Sequence, residues 1–90
     1  MEHKTHEQLQ ALLDEAAKVV EVGRTYYHYK KPDNHYLVER LVIREEVEDV
    51  AVIYKSLYGV GIVWDRPLSS WLESVEVDGK MVSRFVLLRE

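Results

Sequence analysis

The chain contains no cysteine. That removes disulfides, thiolate nucleophiles and cysteine-ligated zinc together, and it fits a reducing compartment. Long apolar runs are also missing. The longest uncharged stretch, Ser56 to Trp64, falls far short of the roughly 20 apolar residues that span a bilayer. Charges at Glu2, Lys4, Glu7, Asp14, Glu15 and Lys18 interrupt any signal-peptide core near the start, so a cytoplasmic protein is expected. No run of lysine or arginine occurs, and the formal charge is −4. Binding to nucleic acid therefore lacks its usual electrostatic drive.

What is present is ordinary for a folded domain. Ninety residues with 47% apolar and 31% charged side chains make one domain, residues 1–90, with a modest core. Thr5 and Gln8 have the spacing of a capping box, in which each side chain satisfies the other's backbone N–H. Leu9, Leu12, Leu13, Ala16 and Val20 then recur with helical period. A helix over residues 5–20 follows, stopped by Gly23, with its apolar stripe packed on a sheet or on a second copy of the chain.

The remainder reads as strands. Arg24 to Tyr29 is rich in tyrosine, which strands favour, and Lys31-Pro32-Asp33-Asn34 has turn composition. His35 to Arg44 forms a second strand whose two faces are both mixed, which implies a bulge. An acidic loop, Glu45 to Asp49, leads into Val50 to Leu57, an apolar run buried on both sides for part of its length. Tyr58 to Gly61 turns the chain, Ile62 to Asp65 runs back, and Pro67 ends that strand. Leu68 to Leu72 suits a helical turn. Asp78-Gly79 is the strongest hairpin signal in the chain, and Met81 to Arg89 completes the last strand. The expected fold is mainly β: a small barrel or curled sheet of five or six antiparallel strands with one N-terminal helix.

Val22-Gly23, Tyr26-x-His28-Tyr29, Val52-Ile53-Tyr54, Leu57-Tyr58-Gly59, Trp64-x-Arg66-Pro67-Leu68, Val75-Glu76-Val77-Asp78-Gly79 and Arg84-Phe85 occur in that order. In this the chain resembles the DUF1653 family, small bacterial and phage domains of uncharacterised function. The resemblance implies an SH3-like β-barrel and supplies no activity. Arg44-Glu45-Glu46-Val47 stands where the family tends towards a His-Ser-Glu-Thr-like segment, so no role carries over for that histidine. The N-terminal helix lies outside the resemblance.

Catalytic and metal chemistry find little support. His3 with His6, and His28 with His35, form two pairs that no spaced carboxylate completes into a closed site. The serines lack a nucleophile elbow, and Gly59-x-Gly61 is a turn followed by a strand, not a phosphate loop. No cofactor or metal is expected. Aromatic and basic residues carry the expectation instead: Tyr26, His28, Tyr54, Tyr58, Trp64, Arg66 and Arg84, with Tyr54, Tyr58, Trp64, Arg66, Arg84 and His28 as the expected ligand-binding residues. Trp64 and Arg66 share strand parity and leave one face together, a combination suited to a planar or anionic group. In the competing structural reading the tyrosine and tryptophan are core or rim, and the arginines pair with Asp65, Glu73 or Glu76. The favoured function is a binding module without catalysis that recognises a peptide or an anionic or planar ligand. The alternatives are a nucleotide- or sugar-like pocket that sequesters or hydrolyses its ligand, and an oligomerisation domain, a homodimer through the helix.

Overall fold

The computed structural model describes residues 3–89. Helix α1 spans His6–Ala17 and carries the expected capping box: the Gln8 N–H donates to Thr5 Oγ1 at 3.1 Å, and the Thr5 N–H donates to Gln8 Oε1 at 2.8 Å. It ends three residues earlier than residue 20, because the last turn tightens through bonds from the Lys18 and Val19 N–H groups to the Glu15 and Ala16 carbonyls. The stripe is anchored at its end. Ala16 and Val20 are buried, whereas Leu9, Leu12 and Leu13 are half-buried.

Seven antiparallel strands follow among the described residues, one more than the upper expected count. They are β1 Thr25–His28, β2 Lys31–Arg44, β3 Asp49–Ser56, β4 Val63–Pro67, β5 Ser74–Val77, β6 Lys80–Ser83 and β7 Phe85–Leu87, with a short helix α2, Leu68–Trp71, after β4. The extra strand arises at Arg84, which breaks the expected final strand in two. Its N–H donates to the Glu73 carbonyl and its own carbonyl accepts from the Tyr29 N–H, both at 3.0 Å. The chain there leaves the β5–β6 hairpin and joins β1. That hairpin turns on Asp78 and Gly79, with φ of 51° and 80°, the backbone that an Asp-Gly turn supplies. The first turn falls at Tyr29-Lys30, not at 31–34. Pro32, Asp33 and Asn34 occupy the irregular start of β2, where a residue without an N–H costs no regular ladder bond.

The main sheet has the order β4-β3-β2-β1-β7, and β5-β6 forms a separate pair. Val38 pairs with Tyr54 and Arg40 with Ile53, leaving Glu39 as the extra residue of a bulge. The bulge explains the mixed faces of β2. Before it Tyr36 and Val38 point inward; after it Leu41, opposite Val52, does so. In β3, Val50, Ala51 and Val52 are buried in succession.

The sheet does not close into a barrel by backbone pairing, but it rolls strongly. Laid flat, five strands would put β4 and β7 roughly 19 Å apart. Instead the Arg66 guanidinium carbon on β4 lies 5.1 Å from the centre of the Phe85 ring on β7. Side chains fill the seam. Trp71 of α2 stacks flat on Phe85 at 3.9 Å, and Tyr26 and Tyr54 meet Trp71 edge-on at 5.4 and 5.0 Å. With Val20, Val38 and Val52 these rings form the core. Among the described residues no helix is long and apolar enough to cross a membrane.

Candidate functional site

Register decides which expected site residues meet. Tyr54 on β3 pairs directly with Trp64 on β4, and Val52 with Arg66, so Trp64, Arg66 and Tyr54 share the inner face. Their exposures differ sharply. Tyr54 is 5% exposed and belongs to the core, while Trp64 is 46% exposed. The Trp64 indole N–H donates to Oγ of buried Ser56 at 3.0 Å, which fixes the ring over the rim.

Arg66 is half-buried. Its Nε donates to the Tyr54 hydroxyl at 3.4 Å, and its Nη1 donates to Ser70 Oγ on α2 at 2.9 Å. Among the described residues no carboxylate pairs with it. Arg84 differs: its Nη2 lies 3.4 Å from Glu73 Oε2, and its buried Nε has no partner. Arg84 thus pairs with one of the expected carboxylates, Glu73, and Arg66 with none of the described ones.

His28 lies edge-on to Phe85 at 5.2 Å and tilts against Tyr29 at 4.8 Å. Burial lowers its pKa below the usual histidine value, and the neighbouring charges of Arg84, Arg66 and Lys30 lower it further. Its Nδ1 accepts from the Lys30 N–H at 3.2 Å, so the neutral ring carries its proton on Nε2. His35 pairs with Tyr27 and therefore faces away from His28; the two histidines do not converge across the hairpin. His3 lies 3.6 Å from Glu48 at the β2–β3 turn, a meeting invisible in sequence spacing. Among the described residues no three metal-ligating side chains gather.

Tyr58 comes from the β3–β4 loop, and its hydroxyl lies 2.8 Å from that of Tyr36. Burial and this hydrogen bond push the Tyr36 phenol up to about 12. Tyr36 also touches Tyr54 and Phe85 edge-on, at 5.5 and 6.1 Å. Tyr36, Phe85 and Ser70 are not among the expected site residues, although all three touch residues that are. The parity of Tyr36 with Val38 was the available signal, but the partner strand's register was not. A cleft of about 280 Å³ opens beside this pair, lined by His28, Lys30, Lys31, Asn34, Tyr36 and Tyr58.

The structure therefore gathers His28, Tyr36, Tyr54 and Arg66 around Phe85 and sets Tyr58 against Tyr36, with Trp64 beside Tyr54 on the next strand and Arg84 tied to Glu73. Residues 24–87 match the family model described as a protein of unknown function, DUF1653. The chain belongs to the DUF1653 family. A crystal structure of a DUF1653 protein from Bordetella bronchiseptica is similar to it, with a TM-score of 0.63 and 32% sequence identity. That match covers 73% of this chain and 85% of the other. No curated protein matches significantly. Helix α1, at residues 6–17, lies before the matched family segment.

Proposed function

We propose that this DUF1653 domain is a binding module whose aromatic and arginine surface takes an anionic, planar group, presented by a small ligand or a peptide. The observation that carries the reading is the state of Arg66. Its guanidinium is held in place by the Tyr54 and Ser70 hydroxyls and by the Phe85 ring, yet among the described residues no carboxylate neutralises it. A preorganised cation without a counter-ion pays little to bind an anion. Trp64, immobilised by Ser56, adds an exposed flat surface beside it.

Binding rather than catalysis fits the local hydroxyls. Ser56 and Ser70 already accept bonds from Trp64 and Arg66 and serve to orient those side chains. The test is a thermal-shift screen against a metabolite and nucleotide library, since a ligand stabilises the state that binds it. Hits should be anionic and flat. Arg66→Met, which keeps an apolar stem against Phe85 and removes the charge, should erase their stabilisation while the domain stays folded. Hits that stabilise Arg66→Met as well as the parent would refute the assignment.

A further inference from the structure

We infer that the anionic part of the ligand is a phosphomonoester, seated in the cleft between the β1–β2 turn and the β3–β4 loop. This rests on the preceding reading and names its ligand class. In a chain of net charge −4, the cleft is lined by Lys30 and Lys31 and by no aspartate or glutamate. The charge facing His28 is likewise cationic from three directions: Lys30 from the turn, Arg66 from β4, and Arg84 from the junction of β6 and β7. Only Arg84 has a carboxylate beside it, Glu73.

The hydrogen-bonding groups along the cleft include several donors. With Nδ1 occupied by the Lys30 N–H, the neutral His28 ring keeps an Nε2–H. Tyr36 and Tyr58 share one hydroxyl hydrogen between them, which leaves the second phenolic hydrogen for another acceptor. Asn34 brings an amide, and each lysine an ammonium group. A carboxylate has two oxygens and one charge for this set. A phosphomonoester has three free oxygens and close to two charges at neutral pH, so it satisfies more donors and gains more from the lysines as point charges.

The cleft, about 280 Å³, has room for the phosphate with a planar group at its mouth. Tyr58, well exposed, is part of the cleft wall, and exposed Trp64 lies two strands from Tyr36 with its indole bonded to Ser56, the strand partner of Tyr36. Such a ring arises in two ways, as a nucleoside monophosphate or as an aryl phosphate like a phosphorylated tyrosine, and the shared chemistry is the phosphate on a flat group.

The experiment is an NMR titration of the intact chain with inorganic phosphate, phenyl phosphate, adenosine monophosphate and benzoate, at ionic strength held constant with chloride. Phosphate and at least one of its two planar esters should shift the His28 ring and the Tyr36 and Tyr58 signals saturably. The tighter ester tells which source fits. Replacing Lys30→Gln and Lys31→Gln together, at exposed positions that leave the fold alone, should weaken phenyl phosphate by about tenfold or more. Benzoate matching phenyl phosphate, with no effect of the lysine changes, would overturn the phosphate assignment and leave the Arg66 surface standing. Failure of inorganic phosphate and both esters would overturn the phosphate assignment, while the Arg66 reading stands or falls on the screen against Arg66→Met.

Discussion

Arg66 joins three elements through neutral partners: the Tyr54 hydroxyl on β3, the Ser70 hydroxyl on α2 and the Phe85 ring on β7. Strand parity alone describes it as an exposed group whose removal changes stability by no more than about 0.5 kcal/mol. The contacts imply more. Two partly exposed hydrogen bonds and a guanidinium–ring contact lead us to expect Arg66→Ala to cost about 1 kcal/mol in a urea melt, with the domain still folded. His28 makes the second prediction at this scale. Its folded pKa lies below the unfolded value near 6.5, so as pH falls the unfolded chain takes up the proton first. The contribution is complete above the unfolded pKa and is lost as pH drops below it towards the folded one. Urea midpoints measured from about pH 7.5 down to 5 should fall for the parent and fall less steeply for His28→Asn. An unchanged slope would remove His28 from the account.

Among the elements, α1 shows how far periodicity reaches. Leu9, Leu12, Leu13, Ala16 and Val20 were legible as one stripe, and Thr5 and Gln8 as its cap. Which end of the stripe seats against the sheet was not, because that depends on where the chain re-enters after Gly23. The Gly23 N–H donates to the Val38 carbonyl and the Glu21 N–H to the Tyr26 hydroxyl, and these bonds pull the end at Val20 inward. The smaller side chain should therefore matter more. Val20→Ala, at a position with no exposure, should cost about 2 kcal/mol, against about 1 kcal/mol for half-buried Leu13→Ala; paired denaturant melts decide the order. The Asp78-Gly79 turn and the β2 bulge were legible from local chemistry alone. The break at Arg84 was not: its N–H still bonds within the hairpin, to Glu73, but its carbonyl turns to the N–H of Tyr29, far away in sequence.

At the scale of the whole molecule, the rolled sheet brings residues of its two outer strands into contact. Trp64 and Arg66 were legible as neighbours of one face, and Tyr54 as their cross-strand partner only once register was known. The proximity of Phe85 to Arg66 follows from curvature, which no local pattern encodes. Lys31 and Asn34 read only as members of a turn, because composition there gives no sign of the β3–β4 loop that brings Tyr58 to the same cleft. Phe85 now stands against Trp71, Tyr54, Tyr36, His28 and Arg66. Phe85→Ala should cost about 3–5 kcal/mol, a large share of the roughly 5–15 kcal/mol that holds a domain folded. Chemical denaturation with near-UV circular dichroism should show the loss, and a change below about 1 kcal/mol would mean that the seam is not part of the core.

Joining β4 to β7 by side chains also sets a clock for the backbone. β3 is hydrogen-bonded on both sides, by β2 and by β4, whereas β4 and β7 are each laddered on one side only. The roll can loosen along Arg66 and Phe85 without breaking a backbone bond between its two edges. Amide protons of β4 and β7 then exchange with solvent through small local openings, while those of β3 wait for events close to global unfolding. A ligand gripped by Arg66 would close that gap, and its arrival would be read in deuterium as slowed exchange along both edges.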